Sequence, residues 1–116
     1  MHHIGFDLSD MGPGWVEGEL PLQQIHLQQF GFVHGGVSAS LMDICMGFAA
    51  YSLMPVGKGV VTANLSIDYL NPGHGDKLLA RGEVEKLGSK LVYCTAKIYC
   101  VKDEERWHIA SARSIM

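Results

Sequence analysis

Asp43 is the only charged residue in a largely apolar segment that runs from Val37 to Met54. With about 100° between successive helical residues, the segment divides into two faces. Small residues share the face of Asp43: Gly36, Ala39, Ser40, Gly47 and Ala50. Larger apolar residues form the opposite face: Val37, Leu41, Ile44, Cys45 and Phe48. A solvated helix face normally carries several charged side chains, so a lone carboxylate among small neighbours predicts a functional group.

A glycine-rich sequence, His34-Gly35-Gly36, precedes this predicted helix. The first N–H groups of a helix have no partner within it, and the helix dipole adds partial positive charge there. Such a place suits a carbonyl oxygen that becomes negative during a reaction. The alternative is a flexible entry loop. The presence of Asp43 nine residues after His34 favours the chemical interpretation.

The remaining chain predicts strands on both sides of one helix. The helix is expected from Gly36 to Leu53, with Pro55 and Gly57 ending it. Two short strands should surround the turn at residues 11–14, and four strands should follow the helix, at 61–69, 77–87, 90–101 and 106–115. The short connections predict an antiparallel meander of the last four strands. The strand at 61–69 alternates as a half-buried strand, and the apolar helix should be enclosed by the sheet.

Composition narrows the function classes. The 116 residues are 47% hydrophobic and 18% charged, which predicts one domain spanning residues 1–116. Its class is α+β, because the order of elements predicts one helix packed on a sheet. The net charge of −3 and the scattered basic residues argue against nucleic acid as a partner. Asp43 at the centre of the apolar segment argues against a membrane span. Cys45, Cys94 and Cys100 are expected as free core thiols in a reducing cytoplasm, and no metal or cofactor is indicated.

Two stretches resemble the hotdog-fold thioesterases of the 4-hydroxybenzoyl-CoA and phenylacetate-degradation type. The run from Gln28 to Asp43 has the pattern of Asn or Gln, Gly, HGG and a later acidic residue. The stretch 62–72, followed by Gly75-Asp76, is similar to the central strand and turn of that family. The resemblance implies a hotdog fold, in which an antiparallel sheet wraps around one long helix. It also implies acyl-CoA thioesterase activity that needs no cofactor beyond the coenzyme A of the substrate.

The resemblance also assigns roles by position. Asp43 would be the nucleophile or general base, and the Gly35 N–H would polarise the thioester carbonyl. Gln28 would orient the attacking water or the thioester. His34 belongs to the motif in a structural role, with proton transfer as the alternative. In this family the site lies between two subunits, which implies a homodimer, paired into a homotetramer, with Asp43 of one subunit facing Gln28 and Gly35 of the other.

Further residues are expected to contact the substrate. Near the helix these are Gly36 and Gly47. Asn64 and Ser66 are expected to line either the acyl pocket or an interface. Elsewhere the expected contacts are the turn residues Gly88, Ser89 and Lys90, with Lys86 and Arg81 as other candidates for a coenzyme A phosphate. A solvated surface charge is the alternative for each basic residue. A hotdog protein that binds acyl-CoA without hydrolysing it is the alternative function, and the acyl group stays open.

Overall fold

A computed structural model describes residues 5–28, 31–55 and 57–116. These residues form one long helix, one short 3-10 helix and six strands. In chain order they are β1 (Asp7–Gly12), β2 (Trp15–Pro21), the 3-10 helix (Gln24–His26), α1 (Gly35–Tyr51), β3 (Asn64–Tyr69), β4 (Lys77–Leu87), β5 (Val92–Lys102) and β6 (Glu105–Ile115). Within the described ranges, no helix has the length and apolar character needed to cross a membrane.

All six strands form one antiparallel sheet in the order β1-β2-β4-β5-β6-β3. The predicted α+β class and hotdog architecture are confirmed. The predicted meander of the last four strands is wrong, because β3 pairs with β6 and not with β4. The long strands β4, β5 and β6 pair through tight turns and leave the outer edge of β6 free for β3. Residues 70–76 can carry the chain past two strands, since neighbouring strands lie only about 4.8 Å apart.

The helix α1 packs so closely on one face of the sheet that its backbone lies against the backbone of a strand. Gly82 of β4 makes this possible, because a Cβ atom there would lie 2.6 Å from the backbone carbon of Cys45 and 2.7 Å from the nitrogen of Met46. The buried helix residues are Ser38, Leu41, Met42, Cys45, Met46, Ala49 and Ala50. They meet the inward faces of β2, β4, β5 and β6 in a single apolar core.

The sheet covers one side of α1, and the opposite side is open in the single chain, so the helix is less fully covered than its apolar sequence predicts. Phe48 is 40% exposed and Tyr51 is 54% exposed. The predicted division of the helix faces also needs correction. Ala50 lies in the core instead of beside Asp43, whereas Ile44 and Phe48 lie toward the open side. One sheet covers only one face of a helix, and the sequence could not show which apolar residues it would cover.

The strand β3 is also more exposed than predicted. Its alternating pattern predicts a half-buried strand, but only Ile67 is partly buried. Leu65 remains 36% exposed and Tyr69 57% exposed. No other strand of the described residues pairs with the outer edge of β3. An apolar strand surface is therefore left open next to the open face of α1.

The three cysteines are free and buried, as the sequence predicts. Burial raises the pKa of the Cys45 thiol to about 12. Burial is also the main reason why the pKa values of Cys94 and Cys100 rise to about 11. The thiols therefore stay neutral and shielded near pH 7, which makes them poor nucleophiles in the folded protein.

The backbone contact at Gly82 predicts opposite effects for two glycine-to-alanine substitutions. Gly82→Ala should lower the free energy of unfolding by about 1–3 kcal/mol or more, because the new methyl group overlaps the backbone of α1. Gly47→Ala should raise it by up to about 1 kcal/mol, because a Cβ at this helical position meets open space. Urea denaturation of both variants measures the effects. Equal stabilities for the two variants would contradict the packing described.

Candidate active site

The first turn of α1 presents two backbone N–H groups, those of Gly35 and Gly36, that have no partner among the described residues. His34 is the N-cap residue, with φ −59° and ψ 136°. Its carbonyl accepts hydrogen bonds from the N–H groups of Val37 at 3.0 Å and Ser38 at 3.4 Å. The N–H groups of Gly35 and Gly36 have no helical partner, because the helix has no carbonyl one turn before them. Both glycines are exposed, and glycine has no side chain that could cover its own N–H group.

Tyr69, at the end of β3, lies against this first turn. Its hydroxyl donates a hydrogen bond to the carbonyl oxygen of Gly35 at 2.9 Å. A Cβ atom at Gly35 would lie 3.2 Å from both Cζ and the hydroxyl oxygen of Tyr69. Nothing in the local sequence predicts Tyr69 as part of the site. Its place in the alternating pattern of β3 indicated only that it should face the same side as Leu65 and Ile67.

Gln28 and Gly35 lie along one open cleft of about 440 Å³, which Tyr69 also lines. The Gln28 N–H donates to the carbonyl of Phe32 at 2.7 Å, and its carbonyl accepts from the N–H of Gly31 at 2.9 Å. Gly31 has φ 83°, a left-handed conformation that favours glycine. The structure thus brings together two of the predicted site residues. Residues 29 and 30 of the motif lie outside the described residues.

His34 contributes to the site through its backbone. Its N–H donates to the carbonyl of His26 at 2.9 Å, which ties the start of the helix to the 3-10 segment. Its side chain is exposed, and it makes no side-chain cap for α1. These contacts agree with a structural role, and the proton-transfer role stays a prediction.

Asp43 lies at the middle of α1 and is partly buried, between the covered and the open side of the helix. Thr62, just before β3, donates a hydrogen bond from its hydroxyl to Oδ1 of Asp43 at 2.8 Å. This bond fixes one carboxylate oxygen and leaves Oδ2 for another partner. In the sequence, Thr62 alternates with the apolar residues of the predicted strand at 61–69, as Asn64 and Ser66 do, and this pattern does not predict a bond to Asp43. Within the described ranges, no group of three or more His, Cys, Asp or Glu side chains could hold a metal ion.

Asp43 and Gly35 are not brought together within one chain. Eight residues separate them on the same helix. At about 1.5 Å of rise per residue, they lie about 12 Å apart along the helix axis. The carboxylate and the N–H donors of a single chain are therefore too far apart to act on one carbonyl group.

An open apolar groove lies beside Gly47, one helical turn beyond Asp43. Its volume is about 370 Å³, and it is lined by Ile44, Gly47, Phe48, Tyr51, Gly59 and Val60. A Cβ atom at Gly47 would meet nothing within 4 Å. The predicted space near Asp43 is therefore present, and its walls are mainly apolar.

Asn64 and Ser66 lie on the face of the sheet that points away from α1. Directly paired residues of antiparallel strands share one face, and Ser66 pairs with the exposed Arg113. Leu65, between them, pairs with Ser114, which bonds to the core residue Met46. The structure therefore does not bring Asn64 and Ser66 to Asp43. Their alternative place, in an interface, stays a prediction.

Gly88, Ser89 and Lys90 form the turn between β4 and β5. The Gly88 N–H donates to the carbonyl of Leu91 at 2.8 Å, and Ser89 and Lys90 are exposed. Val84, four residues before this turn, lies with Leu53 beside Gly14, near the C-terminal end of α1. The turn is therefore remote from Gly35, which lies at the other end of α1 in the same chain.

The three candidate basic residues have different surroundings. Arg81 is ion-paired with Glu17 and Glu83 on the outer face of the sheet. Among the described residues, neither Lys86 nor Lys90 has an ion pair within 4.0 Å. Lys86 and Lys90 are therefore the freer cations for binding an anion.

Comparison with known proteins identifies the family. The thioesterase superfamily matches residues 30–106 of the chain. The chain is 31% identical to a proofreading thioesterase, EntH, of Klebsiella pneumoniae over 85 residues, which cover 73% of this chain and 61% of that protein. Three other curated relatives are each matched over 60–64% of their length. The chain therefore spans about three fifths of the length of these relatives.

Solved structures agree with this result. A thioesterase family protein from Silicibacter pomeroyi superposes with a TM-score of 0.96 at 34% identity, covering 99% of this chain and 85% of that chain. A thioesterase from Haemophilus influenzae superposes with a TM-score of 0.88 at 28% identity, covering 99% of this chain and 80% of that chain. The chain belongs to the thioesterase superfamily.

Proposed function

We propose that this protein hydrolyses an acyl-CoA thioester, at a site formed by Asp43 of one protomer and the start of α1 in a second copy. The observation that carries the proposal is the separation of about 12 Å between the carboxylate and the N–H donors of one helix. One carbonyl group must lie within hydrogen-bond reach, about 3 Å, of the donors and next to the carboxylate. A second copy supplies the missing half.

The surface beside both half-sites supports association with a second copy. Phe48, Tyr51, Leu65 and Tyr69 are 36–57% exposed along the open side of α1 and β3. Among the described residues, the outer edge of β3 is unpaired. Exposed strand edges are templates for pairing with another chain. A twofold axis perpendicular to the sheet at this edge would pair the two β3 strands antiparallel, with both helices on the same face, and would build two equivalent sites, each with Asp43 from one protomer and Gly35 from the other.

The proposed reaction consumes one water and yields a carboxylate and the coenzyme A thiol. The N–H groups at the start of α1 donate to the thioester oxygen as it becomes negative. Asp43 either attacks the carbonyl carbon or removes a proton from the water that attacks it. In the first route coenzyme A leaves as the thiolate, and water then hydrolyses the mixed anhydride. Thr62 holds Oδ1 of Asp43 and leaves Oδ2 to react.

The remaining predicted residues fit parts of the substrate. Gln28 lies on the cleft of the N–H donors, where it would orient the water or the thioester. The apolar groove beside Gly47 suits an acyl group that is itself apolar. The exposed turn with Ser89 and Lys90 suits a phosphate of coenzyme A.

The first prediction for this function concerns Asp43. Asp43→Asn should lower thiol release from acyl-CoA at least about 10³-fold, because the amide can neither attack nor accept a proton. Asp68→Asn is the matched control, since Asp68 is exposed on the outer face of β3. A colorimetric thiol assay measures both, and the buried protein cysteines should add little background.

Two outcomes would overturn this proposal. Wild-type rates in Asp43→Asn would remove the role given to the carboxylate. If the wild type releases no thiol from a panel of aromatic and aliphatic acyl-CoAs, but binds them in calorimetry, the protein is an acyl-CoA-binding protein.

The second prediction concerns Thr62. Thr62→Val keeps the shape of the side chain but removes the hydrogen bond to Asp43, so kcat should fall about 10-fold, as expected for a bond to a charged group. Thr62→Ser retains the hydroxyl and should stay within about threefold of the wild type by the same reasoning. Steady-state kinetics of the two variants measures this difference. Equal kcat values for the valine and serine variants would show that the hydroxyl has no role.

A further inference from the structure

We propose that Tyr69 is a positioning residue for the N–H donors at the start of α1, an inference that rests on the function proposed above. The donors belong to two successive peptide groups. The first joins His34 to Gly35, and the second joins Gly35 to Gly36. Because a peptide group is planar and trans, the direction of its carbonyl fixes the direction of its N–H.

Both carbonyls are held, by different partners. The His34 carbonyl accepts hydrogen bonds from Val37 and Ser38, within the helix itself. The Gly35 carbonyl accepts a hydrogen bond from the Tyr69 hydroxyl at 2.9 Å. Tyr69 therefore restrains the peptide group whose N–H belongs to Gly36. Within α1 the Gly35 carbonyl also faces the N–H of Ala39 one turn further on, and Tyr69 adds a second bond, from outside the helix, to a first turn whose own N–H groups lack helical partners.

The ring of Tyr69 adds a second restraint. A Cβ atom at Gly35 would lie 3.2–3.3 Å from the Cζ, hydroxyl and Cε1 atoms of the ring, whereas one at Gly36 would meet nothing within 4 Å. The ring thus packs directly against the backbone of Gly35. The other side of the turn, at Gly36, remains open for a ligand.

Tyr69 itself lies on an anchored part of the sheet. It pairs with Ala110 of β6. The N–H groups of the next two residues, Leu70 and Asn71, donate to the carbonyl of Ile109 at 2.8 and 3.2 Å. The Asn71 side chain donates to the carbonyl of His108 at 2.8 Å. The Tyr69 hydroxyl is therefore held in place by the sheet and can restrain the start of α1.

One strand thereby supports both halves of the proposed site. Thr62, two residues before β3, holds the Asp43 carboxylate, and Tyr69, the last residue of β3, holds the donor peptide groups. If β3 pairs with β3 of a second copy, the two restraints would act on opposite sides of the same substrate. This explains why a strand so exposed in one chain carries two hydrogen bonds to α1.

The test is Tyr69→Phe, which keeps the ring and removes only the hydroxyl. Losing a whole oxyanion donor costs about 10²–10³ in rate. Here the donors are loosened rather than removed, so kcat should fall about 5- to 20-fold while KM stays within about twofold. Amide exchange of Val37 and Ser38, whose N–H groups are bonded within the first turn, should become faster. Tyr93→Phe is the control, because Tyr93 is exposed on β5 and its hydroxyl makes no hydrogen bond to the described residues.

The outcomes separate this inference from the proposed function. If the wild type hydrolyses acyl-CoA, Asp43→Asn does not, and Tyr69→Phe matches the wild type in kcat and amide exchange, only the inference on Tyr69 is overturned. A fall in activity that follows a loss of folded protein at the assay temperature would also overturn it. If the wild type hydrolyses no acyl-CoA, both proposals fail.

Discussion

The position of the candidate site depends on the backbone contact between α1 and the sheet at Gly82. A Cβ atom at this residue would lie 2.6 Å from the helix backbone, so only glycine, which has no Cβ, allows so close an approach. The contact lies at Cys45 and Met46, two and three residues after Asp43 in the chain. Because a close-packed helix can neither rotate nor slide without opening the core, Asp43 is held at the edge of the covered face. The carboxylate is thus positioned by a glycine on another element.

The same rigidity separates the two chemical groups. A regular helix keeps Asp43 and the N–H donors of its first turn about 12 Å apart, and no side-chain rotation closes that gap. In a chain of this fold, the groups can meet on one substrate only if a second copy supplies one of them. The exposed apolar surface of β3 and α1 is where such a copy would bind. The catalytic proposal and the dimer proposal are therefore one claim.

Much of the site could be predicted from local sequence. Helical spacing predicts Asp43 as the one charge on a face of small residues, and Gly35 and Gly36 are predicted from their place before the helix, which begins within one residue of the predicted start. The place of β3 was not predictable, because an alternating pattern defines the faces of a strand but not its neighbours. Thr62 and Tyr69 were missed for the same reason, since their bonds to α1 depend on where β3 lies. Nor can an apolar pattern show whether its own chain or another copy covers it, as Phe48 and Leu65 illustrate.

Complementation between two inactive variants tests the central claim most directly. Gly35→Pro removes one N–H donor at a helix position that suits proline, and its Cβ would also press on the Tyr69 ring at about 3.2 Å, so it disables the donor half of its protomer and leaves Asp43 intact. Asp43→Asn removes the carboxylate. Each variant alone should be inactive. After the two are unfolded together and refolded at equal amounts, random pairing should restore about one quarter of the wild-type activity, because half of the dimers would contain one intact site. No recovery from a mixture that forms heterodimers would show that the two groups do not act on the same substrate across an interface.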